Sequence, residues 1–268
     1  MAFCAMFCLA LSQHATAQSS VWKVEKNGRH VFLGGTLHLL TKEDYPLPGE
    51  YDLAYNKAQV VYFETNVESL KTPKTTATMA TSLQSKSGKT LDQTLQPGTL
   101  KVVKRYLNKK QLPFERFKHY SPTGLYLALN AMEFSKAGLT SAGVDEHFAK
   151  RARLDKKSIR YFETLNQHLS FMKKMAGGKP DQLILNGLND MQSIPNMVTK
   201  LKTIWRSGNR EKYRSVLLKP YKRYFPKPYQ ILLVNRNKQW IPKIEAFFQT
   251  PETELILVGA LHLIGPDG

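Results

Sequence analysis

Short apolar runs alternate with longer segments of helical period along most of the chain. Val21 to Lys26 and Arg29 to Leu33 flank Asn27-Gly28, a pair that accepts the left-handed conformations of a tight hairpin turn, and they predict two antiparallel strands. The second strand runs directly into Gly35-Thr36-Leu37-His38. Pro46-Leu47-Pro48 then punctuates the chain, Glu50 to Ala58 predicts a helix, and the β-branched and aromatic Val60-Val61-Tyr62-Phe63 predicts a strand ending at Glu64-Thr65. Residues 71 to 95 are rich in Thr, Ser and Lys with little periodicity, which predicts a mobile loop or insertion. Helices are predicted over Pro97 to Asn108 and Pro122 to Ala137, and a turn from Gly138 to Gly143 leads into a helix from Val144 to Arg153. Ser158 to Phe162 predicts a short strand ending at Glu163-Thr164, so Phe-Glu-Thr stands at two strand ends. Leu165 to Met175 is helical in pattern, Gly177-Gly178-Lys179-Pro180 breaks it, and Asp181 to Ser207 is mainly helical with an interruption near Pro195. Arg236 to Phe248 predicts a helix kinked at Pro242, and Glu254 to Val258 the last strand.

This alternation predicts an α/β fold with α+β mixing, in which a mixed β-sheet is flanked by helices and the site lies at the C-terminal ends of the strands. Two of those ends are near copies. Val31 to Leu40 and Leu255 to Ile264 are both apolar runs that break at a glycine and share Gly-x-Leu-His-Leu, presenting His38 and His262. Two histidines delivered alike suit a shared metal centre or an acid/base pair; the alternative is a pair of hydrogen-bonded core histidines capping buried strands. Glu64 and Glu163, each at a strand end of the same kind, favour the shared site.

Composition changes the picture in three ways. Met1 to Leu11 is apolar and Ala15-Thr16-Ala17 is an A-x-A-like cleavage site, so residues 1 to 17 read as a secretory signal peptide, although no Lys or Arg precedes the apolar stretch. The alternative is a buried N-terminal helix. Both cysteines, Cys4 and Cys8, fall within this leader and lack a lipoprotein box, so the mature chain has no thiolate to offer, and a metal site must use His, Glu and Asp. Cleavage after Ala17 implies a periplasmic or secreted bacterial protein, and no transmembrane segment is expected after the leader. Thirdly, 39 Lys and Arg against 21 Asp and Glu give a net charge of +18. That charge favours anionic partners such as an anionic envelope surface; no nucleic-acid fold motif accompanies it, so nucleic acid is not expected as a partner.

Together the motifs are similar to those of the TraB/GumN family, which includes the Tiki-type membrane proteases. That family's early Gly-Thr-x-His, late Gly-x-x-His-Leu-x-Gly and intervening strand-end glutamate stand here as Gly35-Thr36-Leu37-His38, Gly259-Ala260-Leu261-His262-Leu263-Ile264-Gly265 and Glu64. Pro46-Leu47-Pro48, Gly143-Val144-Asp145, Glu163-Thr164 with Gln167, and Arg236-Asn237 also match, in order, over about residues 20 to 268. The family continues past the second histidine with a further helix and strand. Residues 18 to 268 are therefore expected to be a TraB/GumN-like domain truncated at its C-terminus.

The resemblance implies a divalent-metal-dependent hydrolase with a peptide or protein substrate. His38, Glu64 and His262 would be the metal ligands, two imidazoles and a carboxylate with positions left open, a set suited to Mn²⁺, Co²⁺ or Zn²⁺. The ion would make water acidic near neutral pH and polarise a scissile carbonyl. Glu163 is the candidate general base, with a salt bridge or a helix N-terminal interaction as the alternative. Arg236 is the candidate stabiliser of a developing oxyanion, with an ion pair to Glu64 or Glu163 as the alternative. His30, His119, His147 and His168 are expected to be mostly solvated surface residues, and Asp145 a first-turn acid rather than a ligand. Two other classes stay open: a metal-independent hydrolase resembling erythromycin esterases, and a non-enzymatic protein that binds haem or a peptide.

Overall fold

Asn27 and Gly28 both take positive φ, 52° and 74°, and this turn joins β1 (Val21–Lys26) to β2 (Arg29–Thr36) as an antiparallel hairpin. The computed structural model describes residues 19–268 except 67, 70, 71, 140–142, 175–177 and 192, so the expected leader, part of the Gly138 to Gly143 turn and Gly177 lie outside the described residues. Three further strands, β3 (Val60–Phe63), β4 (Ser158–Tyr161) and β5 (Glu254–Gly259), complete a five-stranded mixed sheet in the order β1-β2-β5-β3-β4. β2, β5, β3 and β4 are mutually parallel. β5, last in sequence, inserts between β2 and β3, which makes the last strand-end motif a neighbour of the first.

The helices of eight or more residues are α1 (Gly49–Lys57), α2 (Pro73–Leu83), α3 (Pro97–Lys109), α4 (Pro122–Lys136), α5 (Val144–Leu154), α6 (Leu165–Lys173), α7 (Pro180–Met191), α8 (Ile194–Ser207) and α9 (Asn235–Phe247). Residues alternate between the two faces of a strand, and β5 buries both faces. Leu255 and Leu257 pack with Tyr51, Tyr55, Phe148 and Trp205 on one side, whereas Ile256 and Val258 pack with Val31, Phe162, Trp240 and Phe247 on the other. Burial on both faces accounts for its unbroken apolar run. A separate cluster around Leu107, Leu125, Leu129, Ile184 and Leu188 joins α3, α4 and α7 away from the sheet.

The segment read as a loop over 71 to 95 is partly helical. Pro73 opens α2 behind Thr72, whose Oγ1 accepts a hydrogen bond of 3.2 Å from the Thr75 amide, and Leu91–Thr94 forms one further turn. Threonine-rich stretches have weak apolar periodicity, so here the N-cap and N1 proline are the more informative signals. Between Arg210 and Val234, where no element is predicted, short helical turns alternate with π-helical segments at Arg214–Leu218 and Gln230–Val234. Helix α9 runs through Pro242 as one element, and it starts one residue earlier than the pattern indicates.

Two contacts fix the end of β2. The indole N–H of Trp205 donates to the Gly35 carbonyl at 2.8 Å, and the Tyr51 hydroxyl donates to the same oxygen. At Gly143 an added Cβ would overlap the carbonyl group of His38. Glycine there allows α5 to start against the chain leaving β2, where the Val144 amide donates to the Leu37 carbonyl at 3.1 Å.

Candidate functional site

Because β2, β5, β3 and β4 run parallel, their C-terminal ends share one edge. Thr36 lies opposite Gly259, and Phe63 lies opposite both Leu257 and Tyr161. Past that edge the chain delivers His38, His262, Glu64 and Glu163, and helix α9 adds Arg236. Glu64, Glu163, Arg236 and His262 are buried, and the His38 side chain is 57% exposed. The structure brings together all five residues singled out from the sequence.

Glu64 is the centre of the group. Its Oε1 accepts a hydrogen bond of 2.6 Å from the Gly259 amide and stands 3.9 Å from Nε2 of His38 and 3.8 Å from Nε2 of His262. Its Oε2 accepts from Nη2 of Arg236. Gly259 has the clearest reason in the site to be glycine. A Cβ there would lie 3.2 Å from Oε1 of Glu64 and 3.3 Å from Nε2 of His38, in the space between the donors.

The two imidazoles are held by different partners. Nδ1 of His38 lies 2.8 Å from Oδ2 of Asp145, whose Oδ1 takes the Thr36 hydroxyl at 3.0 Å. A carboxylate accepts only, so His38 carries its proton on Nδ1 toward Asp145 and turns Nε2 toward Glu64. At His262 the tautomer is fixed twice. The Asn237 amide nitrogen donates to the carbonyls of His262 (3.0 Å) and Asp267 (2.6 Å), which leaves its oxygen facing Nδ1 of His262 at 2.6 Å. Nδ1 is therefore the protonated nitrogen. Nε2 lies 3.2 Å from Nη1 of Arg236, a group that can only donate, and so Nε2 bears the lone pair.

Arg236 is bidentate to Glu163, with Nε to Oε1 at 2.6 Å and Nη2 to Oε2 at 2.9 Å. Its guanidinium also packs on the rings of Trp240 and Phe171, at 4.7 and 5.6 Å from their centroids. The ion pair weighed against an oxyanion role is thus formed with both carboxylates at once. Both oxygens of Glu163 are engaged, and Oε2 also lies 3.5 Å from Nδ1 of His168.

Charge follows from these contacts. Burial opposes ionisation of Glu64, but Arg236, helped by His262 and His38, holds its carboxyl well below the usual range. Glu163 is likewise lowered against its burial, by the nearby His168 ring and by the hydrogen bonds and charge of Arg236. The carboxylate of Asp145 raises His38 to about 9, with solvent on its open face screening the attraction. Burial pushes His262 down to about 4, so this ring is neutral at physiological pH. The lowered carboxyl groups of Glu64 and Glu163 thus face the Arg236 guanidinium, with His38 raised and His262 lowered beside them.

Without metal, the stability of the protein depends on pH in two opposing senses. His262 binds a proton less readily folded than unfolded, so its contribution is lost as pH falls from 6.5 toward 4, and the lowered Glu64 and Glu163 extend the loss into acid. His38 works in the opposite sense, its contribution being lost as pH rises from 6.5 through about 9. Urea denaturation at a series of pH values is expected to place maximal stability near pH 6.5. In the His38→Gln variant the alkaline decline should become shallower.

The described residues contain no group of three or more His, Cys, Asp and Glu side chains spaced as a ready-made metal site. The chemistry of the donors does fit a divalent ion. Nε2 of His38 and Oε1 of Glu64 border the space that Gly259 leaves, Nε2 of His262 stands 3.8 Å from the same oxygen, and both rings are held from behind at Nδ1, as metal-binding histidines usually are. Ligands each about 2.0–2.2 Å from one ion can stand up to about 4.4 Å apart, and the separations from Glu64 are 3.8 and 3.9 Å.

Three further residues, Asp145, Asn237 and His168, take part in the site. Asp145 is the expected first-turn acid of α5, but its side chain also holds His38. Asn237 stands in the Arg236-Asn237 match, and nothing in the sequence marks it as the group that orients His262. Of His30, His119, His147 and His168, the other histidines among the described residues, only His119 is exposed, and His168 is turned toward Glu163 from the first turn of α6.

No curated protein and no solved structure gives a significant match to the chain. The family model described as the TraB/PrgY/gumN family matches residues 20–268, which span the sheet and every residue of the site. The chain belongs to the TraB/PrgY/gumN family.

Proposed function

We propose that the chain is an exported divalent-metal-dependent hydrolase acting on peptides or proteins. The observation that carries this reading is the convergence of Nε2 of His38 and Nε2 of His262 on one oxygen of Glu64 at adjoining strand ends. His38, Glu64 and His262 would hold the ion, and the type of donors suits Mn²⁺, Co²⁺ or Zn²⁺. When bound, such an ion supplies Lewis acidity toward a carbonyl oxygen and toward water. Asp145 and Asn237 orient the two imidazoles and keep each Nδ1–H turned away from the centre. Asp145 and Glu64 also favour protonated His38, so ion binding must displace that proton and should strengthen as pH rises toward about 9.

Glu163 is our candidate base. To accept a proton it must release one of its bonds to Arg236, and a substrate oxyanion that draws the guanidinium away would do this. Arg236 would then pass from the carboxylates to the developing charge. Export rests on the apolar leader and its Ala15-Thr16-Ala17 site. No helix of the described residues is long and apolar enough to cross a membrane. The basic surface would favour contact with an anionic envelope.

The contact of Arg236 with His262 favours a second reading, a metal-independent hydrolase in which the guanidinium is the resident cation. Incubating the full chain with a mixed peptide library in Mn²⁺, Co²⁺ or Zn²⁺, with products read by mass spectrometry, separates the two. Cleavage that stops with a chelator and in His262→Ala is the expected result. Cleavage unaffected by the chelator would establish the second reading, and no cleavage by a protein that binds the ion would leave a binding function.

A further inference from the structure

Away from the strand ends, a cavity of about 660 Å³ opens between the helical turns after Gly208 and the chain that follows His262. Its size is within the range of small-ligand sites. Arg210, Arg214, Lys219 and Lys222 line it, and buried Leu218 and Tyr229 provide an apolar floor. Two carboxylates stand nearby, and both are engaged. Glu211 is 3.5 Å from Arg214, and Asp267 takes the Tyr229 hydroxyl at 2.6 Å and lies 3.4 Å from Lys222. Among the described residues Arg210 and Lys219 are exposed and have no carboxylate within ion-pair distance.

The backbone shapes this cavity. Arg214–Leu218 is π-helical, a form that recurs at functional sites. Gly265, at φ 86°, approaches Leu218 so closely that a Cβ would lie 2.6 Å from its Cδ2. The wall is also tied to the candidate site, because the Asp267 carbonyl accepts from the same Asn237 amide that orients His262.

We propose that this cavity binds an organic anion, a carboxylate or phosphate group carried on an apolar body. Arg210 and Lys219 take the charge, and Leu218 and Tyr229 take the apolar part. The charged group can belong to a soluble metabolite or to a lipid headgroup, since the chemistry offered to either is the same.

Calorimetric titration of the full chain with octyl phosphate, octanoate and inorganic phosphate tests the assignment. Arg210→Ala/Lys219→Ala is the variant, and Lys101→Ala/Arg105→Ala, on the exposed face of α3, is the control for diffuse charge. Octyl phosphate is expected to bind once per chain and more tightly than inorganic phosphate. Affinity should fall at least tenfold in the first variant and remain unchanged in the control, with both variants melting as the parent does. Equal weakening in the two variants, or no saturable binding of any probe, would overturn the proposal. Inorganic phosphate binding as tightly as octyl phosphate would remove the role of the apolar floor and overturn it as stated. Sedimentation with phosphatidylglycerol vesicles identifies the source. Capture that depends on Arg210 and Lys219 assigns a lipid headgroup, and binding of the soluble probes alone assigns a free anion.

Discussion

Arg236→Met is expected to destabilise the protein by about 3–5 kcal/mol, the usual effect of stripping the partner from a buried charge. Arg236 faces Glu64 and Glu163 inside the sheet edge, and none of the three side chains is more than 6% exposed. With the guanidinium gone, two carboxylates stay buried side by side, with the Gly259 amide on Glu64 and the imidazoles of His38, His168 and His262 as their remaining polar neighbours. Burial would then prevail over the remaining attraction, and the carboxyl groups, held low in the parent, would rise. Urea denaturation measures the loss. The triple variant Glu64→Gln/Glu163→Gln/Arg236→Met should regain a large part of it, because the uncompensated charge is removed with its partner. A single variant as stable as the parent would mean that the guanidinium is not the counter-ion of this cluster.

Gly259→Ala is expected to separate binding from folding. The backbone at this position, φ −49° and ψ 131°, accepts alanine, and the amide that serves Glu64 is retained. The new methyl group would crowd Glu64 Oε1 at 3.2 Å and His38 Nε2 at 3.3 Å. Overpacking of this kind typically costs about 1–3 kcal/mol. Divalent-ion affinity should fall much further, by about 10- to 100-fold, comparable to disturbing the partners of metal ligands. Parallel melting and ion-titration curves check the pair of outcomes. Unchanged ion affinity would place any bound ion elsewhere.

The candidate site was legible because each of its parts ends an apolar run. Val60-Val61-Tyr62-Phe63 before Glu64 and Leu255 to Val258 before Gly259 mark strands by residue type, and an α/β sheet puts functional groups at their C-terminal ends. Strand order was not legible, since pairing depends on how helices route the chain. That β5 lies between β2 and β3 is what turns two similar motifs into neighbours. Asp145 and Asn237 were missed as orienting groups for a related reason. Each acts through one hydrogen bond across 107 and 25 residues of sequence, and such a bond leaves no local pattern. The alternation rules also fail from Arg210 to Val234, where Pro220, Pro226 and Pro228 and two π-helical segments disturb the helical period.

Counting bound ions decides whether His38, Glu64 and His262 form one divalent-ion site. The parent and His262→Ala would each be equilibrated with Mn²⁺, Co²⁺ or Zn²⁺, dialysed, and analysed for metal and protein by mass spectrometry. One ion per parent chain and none in a folded His262→Ala is the expected result. A folded parent that retains no ion, or a variant that retains the ion as the parent does, would contradict it.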